Sequence, residues 1–89
     1  MSEVLKTLEE RGKNYGKFKD HAQLSQTLKE FVRQPSGYEN LSDSMKESLD
    51  MIMHKIARII NGDPTHVDSW HDISGYATLV EKELEGKSI

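Results

Sequence analysis

The chain has no cysteine, which removes disulfide frameworks and thiolate zinc sites together and fits a reducing, cytoplasmic setting. Any bound metal must therefore sit on Asp, Glu or His. No apolar run approaches the roughly 20 residues of a membrane-spanning helix, and Met1 to Glu10 lacks the basic-then-apolar order of a secretory leader. No membrane partner is expected. The basic residues are dispersed and the formal net charge is −3, so a sequence-independent grip on duplex nucleic acid is not expected either. A small phosphorylated ligand needs only one or two cations and is not affected by that balance. Strand-like alternation, internal repeats, a Gly-rich phosphate loop and a supported Ser-His-Asp set are also missing. The four histidines (His21, His54, His66, His71) form no His-x-x-x-His pair, which argues against a helix-borne zinc site.

With 89 residues the chain suits one domain, 1–89, because two separate cores would each be too small to stand alone. Hydrophobic residues make up 35% and charged residues 30%. That is enough apolar side chain for a core but thin for a monomer, so a homo-oligomer is expected.

The fold expected is all-α, a compact four-helix bundle ending in a helical hairpin. Ser2 to Arg11 carries Val4, Leu5 and Leu8 at helical spacing and should stop near Gly12, and the glycine-rich text from Arg11 to Phe18 reads as a turn. A second helix runs from Lys19 to Arg33 on an apolar stripe of Leu24, Leu28, Phe31 and Val32. Breakers from Gln34 to Leu41 form a loop. Ser42 or Ser44 then caps the clearest helix, with Ser44 and Glu47 in capping-box relation, and Leu49, Ile52, Met53, Ile56, Ile59 and Ile60 supply its core stripe to Asn61. Gly62 to Val67 is a tight linker, and the last helix, from Asp68 to Gly86, buries Ile73, Ala77, Val80 and Leu84.

Two polar groupings stand beside these stripes. On the third helix Glu47, Asp50, His54, Arg58 and Asn61 recur on one line, with Lys55 adjacent, so that acids, an imidazole and cations follow one another. A solvated face with ion pairs such as Asp50 to His54 explains that order, and so does a site for a divalent cation and a phosphate. On the fourth helix Asp68, His71 and Asp72 share a face. In a hairpin they would meet Lys55 and Arg58, either as structural ion pairs, Asp72 with Arg58, or as a ligand site in the seam between the last two helices. Gly75, mid-helix, costs about 1 kcal/mol relative to alanine, which close packing or room for a flat ligand beside Tyr76 would explain. His71-Asp72 matches the metal pair of HD phosphohydrolases, but 89 residues cannot supply that fold's other ligands.

Arg11 with Tyr15-Gly16, Asp50 with His54-Lys55-Ile56-Ala57-Arg58-Ile59, Gly62-Asp63-Pro64, Asp68-Ser69-Trp70-His71-Asp72-Ile73 and Gly75-Tyr76-Ala77 together resemble a small phage and prophage protein family of unassigned function. The layout is also similar to phage nucleotide-modification-associated domains and, more distantly, to all-α MazG-type nucleoside triphosphate pyrophosphohydrolases. The last resemblance implies paired acids on neighbouring helices holding Mg2+ against a triphosphate, with subunits associating through helices. Glu47 and Asp50 stand where the first pair would fall and Asp72 serves for the second. The pattern departs at Asp68 and Asp72, spaced i, i+4 with His71 where a carboxylate would stand, which weakens the case for hydrolysis more than the case for binding.

The functional expectation is a phage-derived protein, cytoplasmic in its host, that binds a nucleotide or another phosphorylated metabolite. Tyr15, His54, Lys55, Arg58, His71 and Tyr76 are its candidate ligand contacts, and Glu47, Asp50, Asp68 and Asp72 its candidate Mg2+ ligands. If it is catalytic, the reaction is Mg2+-assisted attack of water on a phosphoanhydride. The competing expectation is a non-enzymatic protein that docks on a host protein through Trp70 and the Met51 side of the third helix.

Overall fold

The first helix begins where the Ser2 hydroxyl accepts the Leu5 N–H at 3.3 Å, and α1 spans Glu3–Tyr15. The structure is a computed structural model that describes residues 2–89; residue 1 of the expected domain lies outside the described residues. α1 passes through Gly12 and ends only at Gly16, whose φ of 76° suits glycine and few other residues. The expected stop at Gly12 is therefore corrected. A mid-helix glycine costs about 1 kcal/mol, which the surrounding turns absorb, whereas the left-handed backbone at Gly16 cannot continue a helix.

α2 spans Phe18–Arg33, a 3-10 turn at Ser36–Asn40 occupies the expected loop, α3 spans Asp43–Asn61, and α4 spans Val67–Leu84. Ser42 caps α3 by accepting the Met45 N–H at 3.2 Å. Ser44 forms no capping box; its hydroxyl donates to Glu83 Oε2 of α4 at 2.8 Å. Asp63 shapes the α3–α4 connection, accepting from the Thr65 N–H at 2.9 Å and the Thr65 hydroxyl at 2.6 Å, and the Trp70 indole N–H donates to the Pro64 carbonyl at 2.8 Å. The C-terminal hairpin forms as expected. No helix among the described residues is long and apolar enough to cross a membrane.

The helices form an open layer with an arm. α3 lies between α2 and α4, which do not touch each other, and α1 leans on α2 and α3 without burying any residue. Among the described residues only Met53 and Ala57 are buried hydrophobic residues, while His21, Ser25, Ser48, Lys55 and Ser69 fill the remaining buried positions. The expected compactness is accordingly corrected: the radius of gyration is 15.1 Å, against about 12 Å for a compact chain of this length. The cause is visible on α2. Its line toward α3 is His21 and Ser25, so the apolar stripe beside that line is left partly in solvent, with Phe31 73% exposed.

One joint fixes the arm. The Asn61 side-chain amide donates to the carbonyls of Tyr15 (2.9 Å) and Lys17 (3.1 Å), and the Asp63 N–H donates to the Asn14 carbonyl at 2.6 Å. Gly62 lies so near the backbone of Asn14 and Tyr15 that an added Cβ would overlap it. Gly62→Ala should therefore lower stability by about 1–3 kcal/mol, the range for overpacking. Gly75→Ala, whose added methyl meets open space, should raise it by about 1 kcal/mol or slightly less. Urea denaturation midpoints of the two variants check both signs.

Candidate functional site

The polar line of α3 exists, but from Asp50 to Asn61 it faces α1 and α2, and only Glu47 lies beside α4. Asp50 Oδ1 accepts from Arg33 at 3.0 Å, His54 meets His21, the Arg58 guanidinium lies 4.2 Å from the centre of the Tyr15 ring, and Asn61 makes the joint just described. The expected meeting of Arg58 with the acids of α4 in the seam between the last two helices is thereby corrected. Lys55 and Arg58 stand three residues apart, roughly 60° around a helix, so Lys55 points to α4 while Arg58 points to α1. Asp72 pairs with Lys55 at 2.9 Å, not with Arg58, and that hydrogen bond, followed by the Lys55 charge, holds the Asp72 carboxyl below its usual range. The bland reading of this part of the seam, a structural ion pair, is what the geometry supports, because Lys55 is 8% exposed.

Where α1, the start of α2 and α3 meet, a cleft of about 480 Å3 is lined by Leu8, Arg11, Gly12, Tyr15, Gly16, Lys17, Phe18, His21, His54 and Arg58. Three of these residues are cations and none is a carboxylate. Leu8, Tyr15 and the exposed Phe18 give it apolar and aromatic walls. Tyr15 is held in place between Arg58 on one ring face and His66, whose ring centre is 5.4 Å away in an edge-on contact.

At the floor His21 Nε2 and His54 Nδ1 are 3.3 Å apart, the rings nearly perpendicular. One imidazole donates its N–H to the other, so the acceptor must be neutral at that nitrogen. Burial, then the charge of Arg58, pushes His54 down to about 4, and burial followed by Arg58, Lys29 and Lys55 also lowers His21. At neutral pH the floor is therefore uncharged and the walls carry the positive charge. His21 Nδ1 and Ser25 Oγ, one turn apart, are buried and have no hydrogen-bond partner among the described residues.

Of the six expected ligand contacts, Tyr15, His54 and Arg58 come together in this cleft. Lys55 is occupied by Asp72. His71 and Tyr76 lie on α4 beside Asp72 and Gly75 in a shallow recess, where the methyl-free Gly75 faces open space rather than a packed neighbour. The four expected Mg2+ ligands do not converge. Glu47 lines a separate cleft with Tyr76 and Glu83, Asp50 is held by Arg33, Asp72 by Lys55, and Asp68 Oδ2 is 3.6 Å from His66 Nε2. Among the described residues no three His, Cys, Asp or Glu side chains are grouped as a metal site would need.

Sequence reasoning missed Arg11, Lys17, Phe18 and His21 as cleft residues. The signal for Arg11 was present: Leu8, Arg11 and Tyr15 follow i, i+3, i+7 and share one helix face. Ending the helix at Gly12 hid it by placing Arg11 and Tyr15 in different elements.

A family described as "Domain of unknown function (DUF6378)" matches residues 2–84. No curated protein and no solved structure matches the chain.

The histidine pair makes stability depend on pH. Both folded-state values lie below the ordinary 6.5, so between about 4 and 6.5 the unfolded chain takes up protons that the folded chain refuses. Stability should be full above pH 6.5 and fall as pH drops through that window. Thermal midpoints measured from pH 7.5 to pH 4 should show the decline, and His54→Gln should remove most of its slope.

Proposed function

This chain belongs to the DUF6378 family, and we propose that it binds a nucleotide or a closely related phosphorylated metabolite in the cleft between α1, α2 and α3. The observation that carries this reading is the composition of the wall: Arg11, Lys17 and Arg58 line the cleft with no carboxylate beside them. Such an arrangement favours an anion of more than one charge, since an isolated acid would suffice to neutralise a single cation. Leu8, Tyr15 and Phe18 offer an apolar and aromatic surface of the kind that a base or another planar group stacks on. The cleft volume of about 480 Å3 falls in the range of small-molecule sites.

The resemblance to phage nucleotide-modification-associated and MazG-type proteins supports the same ligand class, and with it a phage origin. Binding is favoured over hydrolysis because the acids that would present Mg2+ are engaged elsewhere: Asp50 with Arg33 and Asp72 with Lys55. Mg2+ would enter with a di- or triphosphate, bound by the phosphates themselves, rather than by a preformed set of carboxylates. Arg58 and Arg11 would take the phosphates, and Phe18 and Tyr15 the planar part.

Calorimetric titration with nucleoside mono-, di- and triphosphates, with and without Mg2+, tests the reading against the unphosphorylated nucleosides. Stoichiometric binding of a phosphorylated member is expected, weakened about tenfold or more by Arg58→Ala, in keeping with the loss of a charge-assisted hydrogen bond. Asp72→Asn should leave the affinity unchanged. Absence of binding at millimolar ligand, or equal sensitivity to the Arg58 and Asp72 variants, would remove the proposal.

A further inference from the structure

We infer that the His21–His54 pair takes up a proton when an anion enters the cleft, so that His54 becomes a fourth cationic contact beside Arg11, Lys17 and Arg58, with His21 as the positioning residue that holds it. This rests on the cleft being the anion site proposed above. The pair is a chain of four nitrogens whose two ends differ. At the inner end His21 is 4% exposed, and its Nδ1 is buried with no hydrogen-bond partner among the described residues. In the middle His21 Nε2 and His54 Nδ1 are 3.3 Å apart. At the outer end His54 lines the cleft, and its Nε2 is neither buried nor hydrogen-bonded among the described residues.

The middle contact holds one proton in every state, and a neutral pair has one more, which sits at one end or the other. With that proton at the inner end, His54 Nε2 turns a bare lone pair on the cleft and repels an anionic oxygen. With it at the outer end, the buried His21 Nδ1 is bare. A third proton removes the choice. His54 then donates through Nδ1 to His21 and through Nε2 to the anion, both as charge-assisted hydrogen bonds. His54 rather than His21 carries the charge, because only its far nitrogen opens to the cleft.

The surroundings decide when this state forms. Arg11 and Tyr15 of α1, Lys17 before α2, His21 and Lys29 of α2, and Lys55 and Arg58 of α3 bear on His54. Of the nearby acids, Asp50 is held by Arg33 and Asp72 of α4 by Lys55. Without an anion, burial and then the Arg58 charge hold His54 at about 4, neutral at physiological pH. A polyanion on Arg11, Lys17 and Arg58 cancels the second cause and adds a hydrogen bond to the charged form, and both changes push His54 upward. Because the bound value lies above the free one, affinity for a fixed anion rises as pH falls through the bound value, by up to about tenfold per pH unit, and levels off below the free value.

The imidazole Cε1–H resonances of the full chain, followed by NMR from about pH 7.5 to about pH 4.5, test this directly, because they report on the protein whatever protons the probe itself gains. His54→Gln identifies the His54 signal among the four histidines. Alone, His54 should stay neutral over most of this range. Saturated with inorganic tripolyphosphate or with adenosine triphosphate, its midpoint should rise by about one pH unit or more, while that of His71, outside the cleft, stays in place. His21→Phe, which removes the acceptor, should diminish the rise, and His21→Gln, whose amide oxygen can accept in the same place, should restore much of it. Binding with His54 unmoved would overturn the inference and leave the anion site standing. Equal rises at His54 and His71 would overturn it too, since they would report general screening, and equal behaviour of the two His21 variants would remove the positioning role. If neither probe shifts any resonance of Arg11, Tyr15 or Arg58, the anion site and the proton uptake fall together.

Discussion

Asn61 and Gly62 hold the corner between α1 and α2 against the end of α3, and the cleft exists because of that joint. One amide side chain donates to the carbonyl of Tyr15, next to the break between the two helices, and to that of Lys17, which also accepts the His21 N–H at the start of α2. Gly62 then allows backbone to lie against backbone where a side chain would not fit. Because α1 buries nothing of its own, its direction is set at this point and little elsewhere. Arg11, four residues before Tyr15, faces Arg58 across the cleft only while the corner is closed.

The electrostatics follow from the same placement. Turning the polar line of α3 from Asp50 onward toward α1 and α2 pairs each of these four members with a different kind of group: an arginine for Asp50, an imidazole for His54, an aromatic ring for Arg58 and backbone carbonyls for Asn61. Asp50 is neutralised by Arg33 toward one end, and Arg58 is left without a carboxylate toward the other. A helix face that would pass as a solvated stripe becomes a gradient, with the neutral histidines between. On the opposite flank of α3, Lys55 and Asp72 form a half-buried pair that fixes the register of the hairpin, a specifying role that such pairs can fill without adding much stability.

Much of the architecture was legible in the sequence. Four helices, the breaker-rich loop at Pro35 and Gly37, the linker at Gly62 to Thr65 and the hairpin all appear near their expected places, because strong periodicity and glycine or proline punctuation act locally. Packing was not legible, and the reason lies in α2. Its apolar stripe was the natural choice for burial, yet His21 and Ser25 meet α3 instead, a choice made by the neighbouring helix and invisible to any single segment. The site was half legible for a similar reason. Tyr15, His54 and Arg58 were identified by chemistry, but the partner helix was misassigned because Lys55 and Arg58, though neighbours in text, diverge around the axis. Glycine caused the remaining error, since Gly12 and Gly16 look alike in sequence and only one has a left-handed backbone.

The resting position of Arg58 on the Tyr15 ring has a bearing on selectivity. A guanidinium stacked on an aromatic face already has a favourable place, worth about 0.5–1 kcal/mol at an exposed site and more when desolvated. An entering anion must compete with that ring before it gains the arginine. Chloride or a lone carboxylate, with little to offer beyond one contact, loses much of its advantage in the exchange. On the proposed reading, a polyanion that also engaged Arg11 and Lys17 would keep most of it, and the ring would act as a threshold that sorts anions by how many cations they can recruit together.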